Sequence, residues 1–402
     1  MSTFQTAANV LVALKRETTT GVAATASGAS RVRFNASPGL SLKRANVLSP
    51  EKRTDGLAAM PRLGGKSVDG TFTGDVTIGG ANDILWEALM RTTWVTATTL
   101  AFASVTTVAI GTSTLTGGAS TDFVGTNGFR VGDVFTLAST TVTADNNLNL
   151  PIIAVGSATI STLPAALATL SATATGTLTI MKRAITATTP TRYTHTIEQY
   201  DQDIDLSELF LGCRVVGGKL SVKPGAMATI EWTFMGLDRT ILTTGTSPWF
   251  TSPTVTTGAS VVSDACAVVY NGGVVATFTG FEVDFKITAK GEPVIGTLVS
   301  PDVFDNNLTV TGSISGVRSD FSNLTLFDAE TEFGVNIMLQ DTAGPPLGCL
   351  NIFLPRVKIG ALSAPVGGQD GAKIEALTLD VGPKVAATGY DAGIAVISSN
   401  GS

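Results

Sequence analysis

Gly70-Thr71-Phe72-Thr73-Gly74 is echoed near the far end of the chain by Gly312-Ser313-Ile314-Ser315-Gly316. Around the first copy, Val68, Gly70, Phe72, Gly74 and Val76 alternate with polar residues. A period of two puts one set of side chains on each face, which is the pattern of a strand with one buried side. Three more blocks recur in the same order. Gly39-Leu40-Ser41-Leu42 is matched by Gly280-Phe281-Glu282-Val283, Leu211-Gly212-Cys213 by Leu347-Gly348-Cys349, and Gly225…Ile230-Glu231 by Gly371…Ile374-Glu375. Ordered recurrence predicts one β-rich module written twice.

Other segments extend the pattern. Thr229–Phe234, Glu282–Ile287 and Lys373–Asp380 alternate in the same way and predict antiparallel strands with one polar face. One helix is expected over Ile84–Arg91, capped by Asn82 or Asp83, with Leu85, Ala88 and Leu89 on one face and Arg91 at its negative end. Asn323–Glu330 predicts a shorter counterpart. Gly74 to Cys213 is 106 residues longer than Gly316 to Cys349. The surplus falls on a Thr/Ala-rich stretch, 95–189, where Gly128–Phe135 reads as a turn entering a strand, and Asp145-Asn146-Asn147 and Gly156-Ser157 read as turns. That stretch is expected to be an inserted small β domain on the outer surface. Thr251–Gly258, with Pro248 and Pro253, marks a linker.

The 402 residues allow two or three domains with real cores. Charged residues make up 14%, against about 25% in an ordinary soluble domain. Such a surface suits a chain that covers much of its exterior with copies of itself. A net charge of −6 argues against global phosphate binding. No apolar run is long enough for a membrane helix, and the N-terminus has no basic region of the kind that opens a signal peptide.

Sites of chemistry are scarce. Gly64-Gly65-Lys66-Ser67 resembles the end of a phosphate-binding loop, but Met60 stands where a glycine is needed and a strand pattern follows instead of a helix. Asp201-Gln202-Asp203-Ile204-Asp205 has the acidic spacing of a calcium loop, yet Leu206 and Gly212 occupy the glycine and glutamate positions. His195, the only histidine, has no partner legible in the sequence, and Cys213, Cys266 and Cys349 read as reduced thiols. No catalytic residue, metal ligand or cofactor site is expected. The most charged stretch carries Lys43, Arg44, Lys52, Arg53, Arg62 and Lys66 against Glu51 and Asp55. It reads either as an exposed loop of mixed charge or as an adhesive arm docking on an acidic surface of a neighbouring subunit, with Glu198, Asp201, Asp203, Asp205 and Glu208 as its counterpart.

Val12–Ala23, with its Lys15-Arg16-Glu17 and Thr18-Thr19-Thr20-Gly21, resembles the opening of the tail tube proteins of long-tailed siphophages. The resemblance continues through Leu40–Lys43, Arg53-Thr54-Asp55, Ser67–Gly74, Asp83–Leu89 and Phe210–Val215…Met235-Gly236, covering most of residues 10–240. It implies a mainly β fold: two tandem tail-tube-type β-sandwich/barrel modules, each with a flanking helix, plus the inserted small β domain. The expected boundaries are 1–94 with 190–245 for the first module, 95–189 for the insert, 246–258 for the linker and 259–402 for the second module. The resemblance also implies a virion protein without catalysis, assembled in the host cytoplasm. Its rings would stack into the tail tube, meeting the tape measure and tail-end proteins, while DNA passes through the lumen without specific binding. With the repeat, the expected ring is a pseudo-six-fold trimer; six chains is the alternative. A capsid-decoration or cell-surface adhesion β protein is the competing function.

Overall fold

The computed structural model describes residues 4–35, 37–52, 54–102, 107–138, 147–162, 167–169, 175–186, 189–275, 277–341, 347–366 and 371–401. Asp145 and Asn146 of the expected turn lie outside these, as does Arg53. The first half contributes β1 (Val10–Arg16), β2 (Ser30–Arg31), β3 (Gly39–Val47), β4 (Arg62–Asp75) and α1 (Gly80–Met90). Seven strands of the inserted stretch follow: β5 (Thr98–Phe102), β6 (Val108–Ile110), β7 (Thr114–Gly117), β8 (Val134–Ala138), β9 (Asn149–Val155), β10 (Thr159–Thr162) and β11 (Gly176–Ile180). The chain then returns through β12 (Lys182–Ile185), β13 (His195–Asp201), β14 (Leu206–Val222), β15 (Thr229–Gly236) and β16 (Asp238–Leu242). The second half holds β17 (Cys266–Tyr270), β18 (Gly273–Val274), β19 (Phe278–Gly291), β20 (Val303–Val317), α2 (Ser322–Asp328), β21 (Phe333–Gln340), β22 (Cys349–Ser363), β23 (Ile374–Val381) and β24 (Val396–Ser399).

The same wiring occurs twice. β1 pairs with β2 and β13, β13 with β14, β14 with β15 and β16, β15 with β4, and β4 with β3. Likewise β17 pairs with β18 and β21, β21 with β22, β22 with β23 and β24, β23 with β20, and β20 with β19. Three β-bulges recur at matching places: His195/Ile197 with Phe333/Val335, Val215/Gly217 with Ile359/Ala361, and Arg44/Asn46 with Ile287/Ala289. A bulge fixes register by inserting one unpaired residue, so these mark true equivalence between the halves.

That yardstick corrects the sequence blocks. Gly70 and Gly312 are equivalent, because each lies opposite the matching residues of both neighbouring strands. Gly39, however, stands level with Glu282 rather than Gly280, Ile230 with Glu375 rather than Ile374, and Cys213 with Val357 rather than Cys349. The inner position of β23 therefore holds a carboxylate. Glu375 is buried, accepts from Asn323 Nδ2 and faces Arg318 at 3.7 Å, while Ile374 is exposed.

The helix also begins earlier than its expected cap. Gly79 precedes it, and Asp83 sits in its first turn, accepting from the Gly79 amide and pairing with Lys182 at 2.7 Å. Asn82 is drawn away from capping by the Trp232 indole, which donates to its Oδ1 at 3.2 Å. The expected helix face is buried, together with Trp86.

One further pairing joins the halves. The C-terminal part of β14 runs antiparallel to β19, from Gly217 opposite Lys286 to Val222 opposite Phe281. The order β3-β4-β15-β14-β19-β20-β23-β22 is thus one continuous antiparallel sheet. Its inner face supplies Phe72, Trp232, Phe234, Leu220, Phe285, Ile314, Leu377 and Leu379 to the main core. The other face is polar, with Thr71, Thr73, Glu231, Thr233, Thr309, Thr311, Ser313, Ser315 and Thr378.

The inserted stretch forms its own antiparallel sheet, β5-β11-β8-β9-β10-β7-β6, around Phe123, Phe129, Phe135, Leu137, Ile152 and Ile160. It is docked on the second half. Val131 packs with Phe353 and Val396, and Asn351 Nδ2 donates to the Gly132 carbonyl at 2.9 Å. Gly132 has φ +90°, and a Cβ there would overlap the Phe353 ring. Residues 246–258, expected as a linker, are also anchored: Phe250 is buried, and Thr251 and Thr254 bridge to Ser27 and Ser30.

Gly132→Ala should therefore cost about 1–3 kcal/mol through strain and overlap. Limited proteolysis should then release the 95–189 region well before the main sheet is cut; an unchanged cleavage order would reject this docking contact. A second expectation concerns His195, which is fully buried at the place Phe333 holds in the second half. Burial, with the nearby Arg16 charge, pulls its pKa down from 6.5 to about 4. The unfolded chain takes up a proton near 6.5 that the folded state refuses until about 4, so stability falls as pH drops through that window. His195→Phe removes this loss. Between pH 6.5 and 5 the wild type should lose about 2 kcal/mol more than the variant, measured by urea unfolding.

Candidate functional site

The two ends of the continuous sheet are its most conspicuous surfaces. β3 is bonded along one side to β4. On the other side, the Leu40 amide donates to Gln199 Oε1 at 2.8 Å, and Gln199 Nε2 donates to the Leu40 carbonyl at 3.2 Å. A cleft of about 1210 Å³ lies beside this edge, lined in part by Val12, Phe34, Pro38, Gly39, Phe72 and Gln199. At the opposite end, residues 358–363 of β22 pair with β23, and no second neighbour is found among the described residues. Unpaired strand edges invite another strand, and soluble proteins ordinarily cover them.

The internal junction shows how the equivalent edges are covered. There β14 meets β19, and α1 lies over the seam. Trp86 is fully buried, its ring 5.0 Å from Trp232 and 5.5 Å from Phe285. Gly218 makes room for this cluster, since a Cβ there would come within 2.8 Å of Leu89. Farther along, buried Asp305 of β20 receives Arg214 at 2.8 Å, Arg192 at 2.5 Å and Arg91 at 3.4 Å, while Asp302 takes the other Arg214 nitrogen at 2.8 Å. α2, by contrast, buries none of its residues.

The basic stretch is divided between strands and loop. Lys43 pairs with Asp69 at 2.6 Å on the polar face of the sheet, and Lys66 pairs with Asp238 at 2.7 Å inside β4. Arg44, Lys52 and Arg62 are exposed. The charges in the sequence mask the apolar side chains of the same stretch: Val47, Leu48, Leu57, Met60 and Leu63 are all exposed, Met60 by 91%. The β19–β20 connection presents Val294, Ile295 and Leu298 in the same manner, and Leu298 accepts from the Lys66 amide at 2.7 Å. Both apolar tips therefore project from one end of the sheet.

The acidic set is largely engaged within the chain. Glu198 is buried and accepts from the Trp249 and Phe250 amides. Asp203 accepts from Thr6 and Asn9, which hold its pKa below the usual carboxylate range. Asp205 takes the Tyr200 hydroxyl and Ser247, and Glu208 pairs with Arg239 at 2.6 Å. Burial raises the pKa of Asp201. No ion pair joins the basic and acidic sets among the described residues.

The remaining motifs are structural. Gly64–Ser67 lies inside β4, without the helix a phosphate loop requires. Asp201–Asp205 forms the turn from β13 to β14. Among the described residues no group of His, Cys, Asp and Glu could hold a metal ion. Burial pushes Cys266 up to about 12 and raises Cys213 and Cys349 as well, so none carries the thiolate a nucleophile needs. No described helix is long and apolar enough to cross a membrane.

No curated protein matches the sequence. Among solved structures, phage phi92 endosialidase aligns with 83% of the chain over 56% of its own length, at 10% identity and a TM-score of 0.13. That likeness carries no argument about fold or activity. A family model described as phage tail tube protein matches residues 7–383, nearly the whole chain, including every strand from β1 to β23. The chain belongs to the phage tail tube protein family and is a structural protein of the virion tail.

Proposed function

We propose that three copies of this chain close into a ring of six β modules and that the rings stack into the tail tube, the conduit for DNA ejection. The modules are 1–94 with 190–245, and 259–402; 95–189 is an appended domain. The observation that carries this reading is the continuous sheet, whose two four-stranded halves repeat and whose ends are the edges joined internally. Strands lie about 4.8 Å apart, so three such sheets of eight strands close a barrel roughly 40 Å across. That width admits a DNA duplex. Six chains contributing the whole sheet would double the circumference and leave a hole far wider than the cargo.

The polar face suits a conduit. It carries Ser and Thr along most strands, and its Lys43 and Lys219 are paired with Asp69 and Glu282. Binding to DNA draws on unpaired cations that displace counterions. Among the described residues Lys286 stands on this face without an ion pair, but Glu231, Asp284 and Asp380 on the same face outnumber it, which leaves the duplex free to slide. Ring stacking is assigned to the exposed β3–β4 loop. Its Lys52 and Arg62 steer toward an acidic neighbour, and Leu57 and Met60 supply apolar area.

Purified protein should form hollow tubes in electron micrographs, and native mass measurement of released rings should give three chain masses. Six chains per ring would overturn the trimer, and a persistent monomer would favour the decoration or adhesion reading. Lys52→Glu with Arg62→Glu should block tube growth at low salt while single rings persist. Normal tubes from that variant would discard the electrostatic part of the stacking contact.

A further inference from the structure

The internal junction between β14 and β19 is a template for the contact between copies. We infer that residues 361–363 of β22 in one copy pair with Ser41–Lys43 of β3 in the next, in the register of that junction, and that Phe327 of α2 covers this seam as Trp86 covers the internal one. The inference rests on the ring proposed above and names the surfaces that close it.

The matched bulges fix the correspondence. Val215/Gly217 aligns with Ile359/Ala361, so Gly217 and Gly218 of β14 correspond to Ala361 and Leu362 of β22. Arg44/Asn46 aligns with Ile287/Ala289, so Phe285 and Lys286 of β19 correspond to Leu42 and Lys43 of β3. Inside the chain Gly217 faces Lys286 and Gly218 faces Phe285. Between copies Ala361 then faces Lys43, Leu362 faces Leu42 and Ser363 faces Ser41. Leu42 and Leu362 are both half-buried against the core, so their pairing completes a surface that each copy leaves open.

Two independent details agree with this register. The helices correspond through Asn82 and Asn323, which reach the equivalent strands β15 and β23, at Trp232 and, two positions earlier in register, at Glu375. That places Phe327 where Trp86 lies, yet Trp86 is fully buried and Phe327 is 36% exposed. The difference is the missing neighbour: Trp86 packs on Phe285 of the adjacent half, and Phe327 has the next copy's Leu42 as its counterpart. The second detail is where the seam stops. Past Ala364 the strand reaches Pro365, which has no amide to donate. Opposite that point, Leu40 already has its amide and carbonyl bound by the Gln199 side chain. In the second half the residue level with Gln199 is Ile337, which offers no such bond, and there β19 is paired by backbone along this length. The intercopy seam is therefore short and ends on a side-chain amide.

The test is a register-specific cross-link in the full chain. Lys43→Cys with Ala361→Cys places two thiols opposite each other on the polar face. Lys43→Cys with Ser363→Cys moves one partner two residues along the same face. Under mild oxidation of assembled rings, the first pair should give covalent species that stop at three chains, at least fivefold faster than the second pair, and the unmodified chain should give none. Tubes that form without this cross-link, or that cross-link equally well in both variants, would overturn the seam and leave the ring reading standing. A ladder reaching six chains would keep the seam and overturn the trimer. Failure of the unmodified chain to assemble would overturn both. Phe327→Ala should raise the concentration needed for ring formation about tenfold with unchanged circular dichroism and thermal unfolding of the single chain. An unaltered assembly threshold would remove Phe327 from the seam.

Discussion

The backbone ladder between β14 and β19 is the constraint on which the rest of the architecture depends. β14 is 17 residues long and serves two layers: its first part pairs with β13 and β16, its second part pairs with β15 from Arg214 onward, and beyond the Val215/Gly217 bulge it also pairs with β19. The bulge turns the strand from one layer into the other, which is how a single segment can hold a sandwich together and still extend a sheet. Burying these backbone groups requires that every amide find a carbonyl, and the ladder satisfies them without side chains. Gly218 follows from the same need, because α1 must approach closely enough for Trp86 to reach Phe285 across the seam.

Orientation at that junction comes from charge. Asp305 gathers three arginines from the helix end, from the segment before β13 and from β14, and Asp302 shares Arg214. Desolvating such a cluster offsets much of its Coulombic attraction, so its main effect is angular, tying β20 to three first-half elements at once. In β4 the residue level with Asp305 is Leu63, which is exposed. The halves share a wiring plan but differ in how they are locked: ionic at the internal seam, apolar at the corresponding place on the free edge.

Much of this was legible in the sequence. Period-two alternation identified the strands and their buried faces, because side chains on a strand can point only two ways. The helix was legible for the same geometric reason, from Leu85, Ala88 and Leu89. Register was not, since alternation says which face a residue occupies but not which residue lies opposite. Leu-Gly-Cys recurs by coincidence at non-equivalent places, and Glu375 reads as a solvent residue until Arg318 and Asn323 are seen to neutralise it inside. Among the candidate contact residues, Glu198 looked available because charge implies exposure, yet two backbone amides hold it in the interior. The apolar tips Leu57, Met60 and Ile295 carried a sequence signal of their own, large hydrophobic residues in a Pro- and Gly-containing loop, which the surrounding charges masked.

In the proposed ring the unequal seams have a physical logic. Within one chain the two halves meet at high effective concentration, so their contact forms with folding and can be extensive: six paired positions, two tryptophans, a phenylalanine and an ionic lock. A contact between copies must form from dilute solution, and it must also release wrongly docked partners before a ring closes. In the proposed contact between copies, a shorter ladder ended by Pro365, a side-chain amide at Leu40 and a single phenylalanine in place of tryptophan would all make that seam weaker than the internal one. Closure of the proposed ring would supply what each weak seam lacks, because the last contact in a ring is again intramolecular. In the proposed ring, linking two modules in one chain would halve the number of contacts that must be made this way and would place the inserted domain on every second module.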